Sequence, residues 1–217
     1  MRMLVCSDIM ALVDLYKSSF RLPPRVCILA PGLRGQEHYH RIPGDAFVIA
    51  VNRAVLIPEV RADLWMINHS EPDWYASGDK AYRGPRLYNH EAAMNAQPPL
   101  AQDPSPYLYY TPPQQKLSAS GLHLLEDGII RHGGTIVASA LQLCYHFGAR
   151  EVMLCGVDMS GNQYWDGAQN PDSRFWHMHG DVWLAVELLN PLIQYLRQRG
   201  LEITALSPTR LDVPPHP

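Results

Sequence analysis

The sequence predicts an α/β fold: a mostly parallel sheet flanked by helices, with an irregular Pro- and Tyr-rich lid. Three observations predict it. Segments 25–30, 46–51 and 62–67 are short and almost wholly apolar, as parallel strands covered on both faces are. Each stops abruptly in polar or turn-forming residues. The stretch 131–164 then reads as turn, apolar-periodic helix, short strand and polar loop, the alternation from which parallel sheets are built.

Taken in order, residues 1–20 are expected to form an amphipathic helix, ended by Arg21-Leu22-Pro23-Pro24. Strand 25–30 runs into Pro31-Gly32-Leu33-Arg34-Gly35, a turn where backbone can approach a ligand closely. Strand 46–51 ends in Asn52-Arg53, and strand 62–67 in Asn68-His69-Ser70-Glu71. Residues 72–128 are rich in Pro, Tyr, Gln and Asn. Pro98, Pro99, Pro104, Pro106, Pro112 and Pro113 argue against long regular elements, so this segment is expected to be an irregular lid with short strands at 86–88 and 107–110.

A helix over 135–147 and a strand over 151–155 follow. The next helix spans 181–199, with Asp181 as its N-cap and Gly200 as its stop. Pro191 should kink or split that helix, with Asn190 disfavoured from helical geometry before it. A last strand over 201–206 leads into Ser207-Pro208-Thr209, and 211–217 reads as a disordered tail. Residues 25–210 thus read as one Rossmann-like domain, preceded by a helix and linker over 1–24.

With 47% hydrophobic and 18% charged residues the chain is globular. A net charge of −3 without a Lys/Arg run argues against nucleic acid as a partner. Cys6, Cys27, Cys144 and Cys155 show no metal-ligand spacing and read as free thiols of a reducing compartment. No apolar run approaches the roughly 20 residues of a membrane span, and the N-terminal segment lacks the pattern of a signal peptide. A cytoplasmic protein is expected, and the sequence leaves a homo-oligomer open.

In an open parallel sheet, ligands bind outside the carboxyl ends of the strands, beside helix N-termini. Gly133-Gly134-Thr135 opens a helix and offers backbone amides to an anion. Asn52 and Asn68 close successive strands, and Asp158 closes another in Gly156-Val157-Asp158. Amides with a carboxylate point to a ligand that carries a phosphate and a polyhydroxyl part.

The order of these motifs resembles the small, single-domain bacterial sialyltransferases that use CMP-N-acetylneuraminate. The related pterin pyrophosphokinase-like proteins (domain of unknown function 115) are similar over the same helix and strand. The resemblance covers roughly residues 25–70 and 129–210 and fails over most of 72–128. It implies a nucleotide-sugar-binding domain. Pro31 and Gly32 would lie under the nucleotide, Asn52 would contact its phosphate, and Asn68 with Ser70 would line the donor pocket. Arg131 precedes the Gly133-Gly134-Thr135 turn, where the family has Thr-Ser-Gly, so the family serine falls on Gly134. Tyr164 would hydrogen-bond the departing phosphate, whereas the family's second tyrosine falls on Ser160. His177 or His179 would be the general base. Ser207-Pro208-Thr209 stands where the family carries its cytidine-side Cys-Pro-Asn.

The chemistry of these residues fits an inverting transfer that needs no metal or other cofactor. An imidazole, with an unperturbed pKa of about 6.5, suits a base near neutral pH. His177 and His179 stand just ahead of a predicted helix, whose dipole disfavours the protonated ring. A phenol at Tyr164 and a guanidinium at Arg131 both donate to phosphate oxygens. Asp158 accepts from sugar or ribose hydroxyls. The partners expected are therefore a CMP-activated sugar and a glycan acceptor.

Two other functions remain. One is an ATP-dependent pyrophosphokinase of the pterin type, which requires magnesium and acidic ligands such as Asp158 with Glu71 or Asp166. The other is a nucleotide-binding module without turnover. No Walker loop and no Gly-x-Ser-x-Gly elbow is present. His38 and His40 beside Glu37 match no known zinc spacing.

Overall fold

The computed structural model describes residues 22–67, 82, 84–89, 106–109, 117–127, 130–131, 135–159 and 181–217. Among the described residues seven strands form one sheet, every pairing in it parallel: β1 (Arg25–Leu29), β2 (Phe47–Val51), β3 (Leu64–Ile67), β4 (Arg86–Asn89), β5 (Pro106–Tyr109), β6 (Glu151–Cys155) and β7 (Glu202–Ala205). Their spatial order is β5-β4-β3-β2-β1-β6-β7. The chain winds outward from β1 through β5, then returns to the opposite side of β1 with β6. The order reverses between β1 and β6, which is where an open α/β sheet forms its ligand crevice.

Alternation along β1, β2, β3 and β6 divides the core into two layers. Val26, Ile28, Ile49, Val51, Met66, Val152, Leu154 and Ile203 face one layer. Cys27, Leu29, Val48, Ala50, Trp65, Ile67, Met153 and Cys155 face the other. This is why these four strands read as continuous apolar runs: both of their faces are covered. The first layer is completed by helices α2 (Ile136–His146) and α3 (Asp181–Gln198). The second is closed by short segments after β1 and β2, including α1 (Gly35–His38) and the 3₁₀ turn Asn52–Leu56. Cys27, Cys144 and Cys155 are free and buried.

Both long helices stop in the same way. Gly148 and Gly200 take φ of +79° and +89°. The N–H groups of Gly148 and Ala149 reach the carbonyls of Tyr145 and Cys144, and those of Gly200 and Leu201 reach Arg197 and Leu196. These are Schellman closures, which satisfy the last helical carbonyls through a left-handed residue. Pro191 does not split the helix, and α3 runs continuously across it. Pro191 withholds one N–H from the carbonyl of Glu187, but the buried Leu188, Leu189, Leu192 and Ile193 hold the helix on the sheet. Asn190 instead uses its side-chain oxygen to accept the amide of Asp212 at 2.9 Å.

Two expectations are revised. The short strands inside 72–128 exist, but they are β4 and β5, so part of the supposed lid extends the main sheet. Pro106 begins the edge strand, where its missing N–H costs no ladder bond. The C-terminal segment is not a disordered tail. Leu211 is buried, and Pro215 bridges Ala205. Ala205 donates its amide to Pro214 at 2.9 Å, and His216 donates to Ala205 at 2.8 Å. Prolines withhold donors but keep carbonyls, so this segment can still cover the open edge of β7. Deleting residues 213–217 removes both bonds. It is expected to lower thermal stability by roughly 1–3 kcal/mol, or several degrees in melting temperature. A scan by circular dichroism checks this. The N-terminal helix expected over 1–20 lies outside the described residues, as does Cys6.

Candidate functional site

The register brings the strand exits to one edge. Leu29 lies beside Cys155 and Ala50, Ala50 beside Trp65, and Leu154 beside Ala205. The residues that follow therefore share the carboxyl rim: Pro31 and Gly32, Asn52, Gly156 to Asp158, and Ser207 to Thr209. The helices add to this rim. The C-terminal end of α2 is tied to the amino edge, where Arg150 and Glu151 donate to the carbonyl of Pro24. Its N-cap, Thr135, therefore stands at the carboxyl edge, its hydroxyl accepting the amide of Val137 at 3.3 Å. α3 runs the same way into β7, so its first residue, Asp181, stands there too.

The centre of the rim is the contact between the β1 and β6 exits. Gly32 donates its amide to the carbonyl of Gly156 at 3.0 Å. The carboxylate of Asp158 lies directly over Gly32: a β-carbon on Gly32 would fall 1.6 Å from Asp158 Oδ1 and 2.2 Å from the Gly156 oxygen. Only glycine leaves that space for the carboxylate. Gly156 takes φ +69° and packs against the carbonyl of Ala30 and the backbone of Gly35. The glycines of the two exits thus serve each other across more than 120 residues of sequence.

The exit of β7 braces this turn from the other side. Gly156 donates its amide to Ser207 Oγ at 2.8 Å in a buried contact. Thr209 Oγ1 donates to the carbonyl of Val157 and accepts the amide of Leu211. Arg210 donates its amide to the carbonyl of Asp158 at 3.3 Å. Both hydroxyls expected on the cytidine side are thus engaged in holding the Gly156-Val157-Asp158 turn. Arg41 Nη1 ties in the same region by donating to the Leu206 carbonyl at 2.7 Å.

The charge of Asp158 reaches its neighbours. Burial pushes the Cys155 thiol up to about 12, with Arg41 opposing the rise and Asp158 adding to it. Arg34, on the β1 loop, is raised chiefly by its 2.7 Å ion pair with Glu37, and Asp158 adds to that rise.

Arg131 is buried in front of α2. Its main chain is clamped by Gln142, whose side chain accepts the Arg131 amide at 2.7 Å and donates to the Arg131 carbonyl at 2.8 Å. Ser139 donates to the same carbonyl. A lone glutamine inside an apolar helical run was the available sequence signal for this clamp.

Asn52 leaves β2 with φ +48°, and its carbonyl accepts the indole N–H of Trp65 at 2.8 Å. The structure therefore brings together Pro31, Gly32, Asn52, Thr135, Asp158, Ser207 and Thr209 on one rim. Asn68, Ser70, Gly133, Gly134, Ser160, Tyr164, His177 and His179 lie outside the described residues, as do Glu71 and Asp166. The residues flanking 160–180, Met159 and Asp181, both stand at the carboxyl edge. Among the described residues, no group of three or more His, Cys, Asp or Glu side chains is placed to hold a metal ion. Among them, too, no helix is long and apolar enough to cross a membrane.

No known family model matches the chain, and no curated protein matches it in sequence. Among solved structures it is similar to the Campylobacter jejuni sialyltransferase CstII in complex with CMP-3FNeuAc. The TM-score is 0.47 at 14% identity, over 85% of this chain and 82% of that one. CstII with a trisaccharide acceptor and CMP gives 0.47 at 14%, over 84% and 81%. The monofunctional alpha-2,3-sialyltransferase Cst-I of Campylobacter jejuni gives 0.46 at 12%, over 85% and 76%.

Proposed function

We propose that this chain is a glycosyltransferase that moves a sugar from a CMP-activated donor to a hydroxyl of a glycan, by metal-independent inverting transfer. The observation that carries the reading is the shared rim: the Asp158 carboxylate lies over the Gly32 turn where the strand order reverses, and Asn52 leaves the neighbouring strand at the same edge. The motif order of the sequence supports it further.

In this reading, Asn52 and the Gly32 turn hold the nucleotide, and Asp158 accepts from ribose or sugar hydroxyls. His177 or His179 takes the proton of the acceptor hydroxyl. The acceptor oxygen bonds to the anomeric carbon on the face opposite the phosphate. The bond from that carbon to the phosphate oxygen breaks, and its electron pair leaves with CMP. Tyr164 and Arg131 donate to the departing phosphate, whose growing charge is the main electrostatic demand of the reaction.

A thermal-shift panel of CMP, CDP, ATP and GTP, each with and without magnesium, tests the reading. CMP alone is expected to stabilise the fold by about 2.7 kcal/mol at a hundredfold excess over its dissociation constant. Stabilisation that demands ATP and magnesium together would instead identify a pyrophosphokinase. CMP binding with no release of CMP from a CMP-sugar would identify a non-catalytic module.

A further inference from the structure

We propose that Trp65 is a positioning residue for the nucleotide grip, acting through the main chain of Asn52. The inference rests on Asn52 being a nucleotide ligand. It starts from the backbone: Asn52 takes φ +48° as the chain leaves β2 for the turn Asn52–Leu56. This left-handed geometry carries a steric cost that asparagine tolerates better than most residues. It also swings the Asn52 carbonyl out of the direction a strand would give it. That carbonyl is taken by the indole N–H of Trp65 at 2.8 Å, across from the neighbouring strand.

The donor itself is fixed. Trp65 is 1% exposed, in the middle of β3. Tyr82 meets its ring edge-on at 6.2 Å, and the Arg86 guanidinium lies 5.3 Å from its ring centroid. Arg86 in turn donates to the Tyr82 carbonyl at 3.0 Å, and Tyr82 donates its hydroxyl to the carbonyl of Pro85 at 2.9 Å. Phenylalanine or leucine would fill this part of the core without offering a donor. The tryptophan adds an N–H, and that N–H is directed at the residue leaving β2. A short carboxamide grips a ligand well only when its own backbone is held to within a fraction of an ångström. Trp65, clamped by Tyr82 and Arg86, supplies that hold.

The test is a double-mutant cycle on CMP affinity, measured by calorimetry for the parent, Trp65→Phe, Asn52→Gly and the double variant. Glycine keeps the left-handed backbone and deletes the carboxamide. Trp65→Phe is expected to weaken CMP binding about tenfold, the worth of one well-formed hydrogen bond. Asn52→Gly is expected to weaken it at least as much. In the Asn52→Gly background, Trp65→Phe should cause no further loss. Equal losses in both backgrounds would mark Trp65 as merely structural and overturn the inference, as would an unchanged affinity in Trp65→Phe alone. Should Trp65→Phe fail to fold, Arg86→Met keeps the N–H but loosens the ring. About a threefold loss that vanishes in the Asn52→Gly background is then expected, and no loss overturns the inference. A parent that does not bind CMP removes the proposed function and this inference together. A parent that binds CMP regardless of Trp65 removes this inference alone.

Discussion

Replacing Gly156 with alanine is expected to lower the stability of the fold by roughly 2–5 kcal/mol. Two costs add. The left-handed backbone, φ +69°, costs a residue with a β-carbon about 1–2 kcal/mol. The new carbon would also fall 2.2 Å from the Ala30 carbonyl and 2.8 Å from Gly35 Cα. Both neighbours are backbone, so the β1 and β6 exits must move apart, an overpacking cost of about 1–3 kcal/mol. For a chain of this size the melting temperature should fall by on the order of 10 °C. Gly200→Ala is the internal control: its φ is +89°, but nothing lies within 4 Å of the added carbon. It should show the backbone cost alone. Unfolding followed by circular dichroism compares the two, and equal shifts would mean that the exits are not packed as described.

The largest effect on turnover is expected from the double variant His177→Ala/His179→Ala. Loss of a general base costs about 10²- to 10⁴-fold in rate. Release of CMP from CMP-N-acetylneuraminate, in the presence of a glycan acceptor, should fall by that factor while CMP affinity stays near the parent value. The single variants then separate the two rings, since only one should carry the loss. Turnover at the parent rate in the double variant would remove the imidazole from the mechanism and leave proton transfer to another group.

The two imidazoles illustrate what a sequence offers at such a site and where it stops. Residue type and order name His177 and His179, but nothing in the local pattern separates rings two positions apart. The strands were more legible. Parallel strands covered on both faces must be apolar throughout, which is why β1, β2 and β6 stand out. Gly200 was legible as a stop because a Schellman closure needs a left-handed residue. The cover on β7 was not, because Val213-Pro214-Pro215-His216-Pro217 has the composition of coil and its pairing uses backbone groups that composition does not encode. β4 and β5 surfaced only as fragments, since proline-rich flanks hide four-residue strands. At the site, Asn52, Gly32 and Asp158 could each be named from the end of a strand. The contact between Gly32 and Asp158 could not. That Gly32 is glycine because Asp158 sits on it, and that Ser207 holds Gly156, are facts of register between segments far apart in the chain. The Trp65 bond to Asn52 is of the same kind.

The proposed function depends on CMP settling across the exits of β1, β2, β6 and β7. Titration of the isotopically labelled chain with CMP, followed by amide NMR, reads that directly. Saturable shifts should gather at Gly32, Asn52, Gly156 to Asp158 and Thr209, and Asp158→Ala should abolish or strongly weaken them. Absence of any shift, or shifts gathered at the amino edge around Pro24, Glu151 and Glu202, would contradict the account.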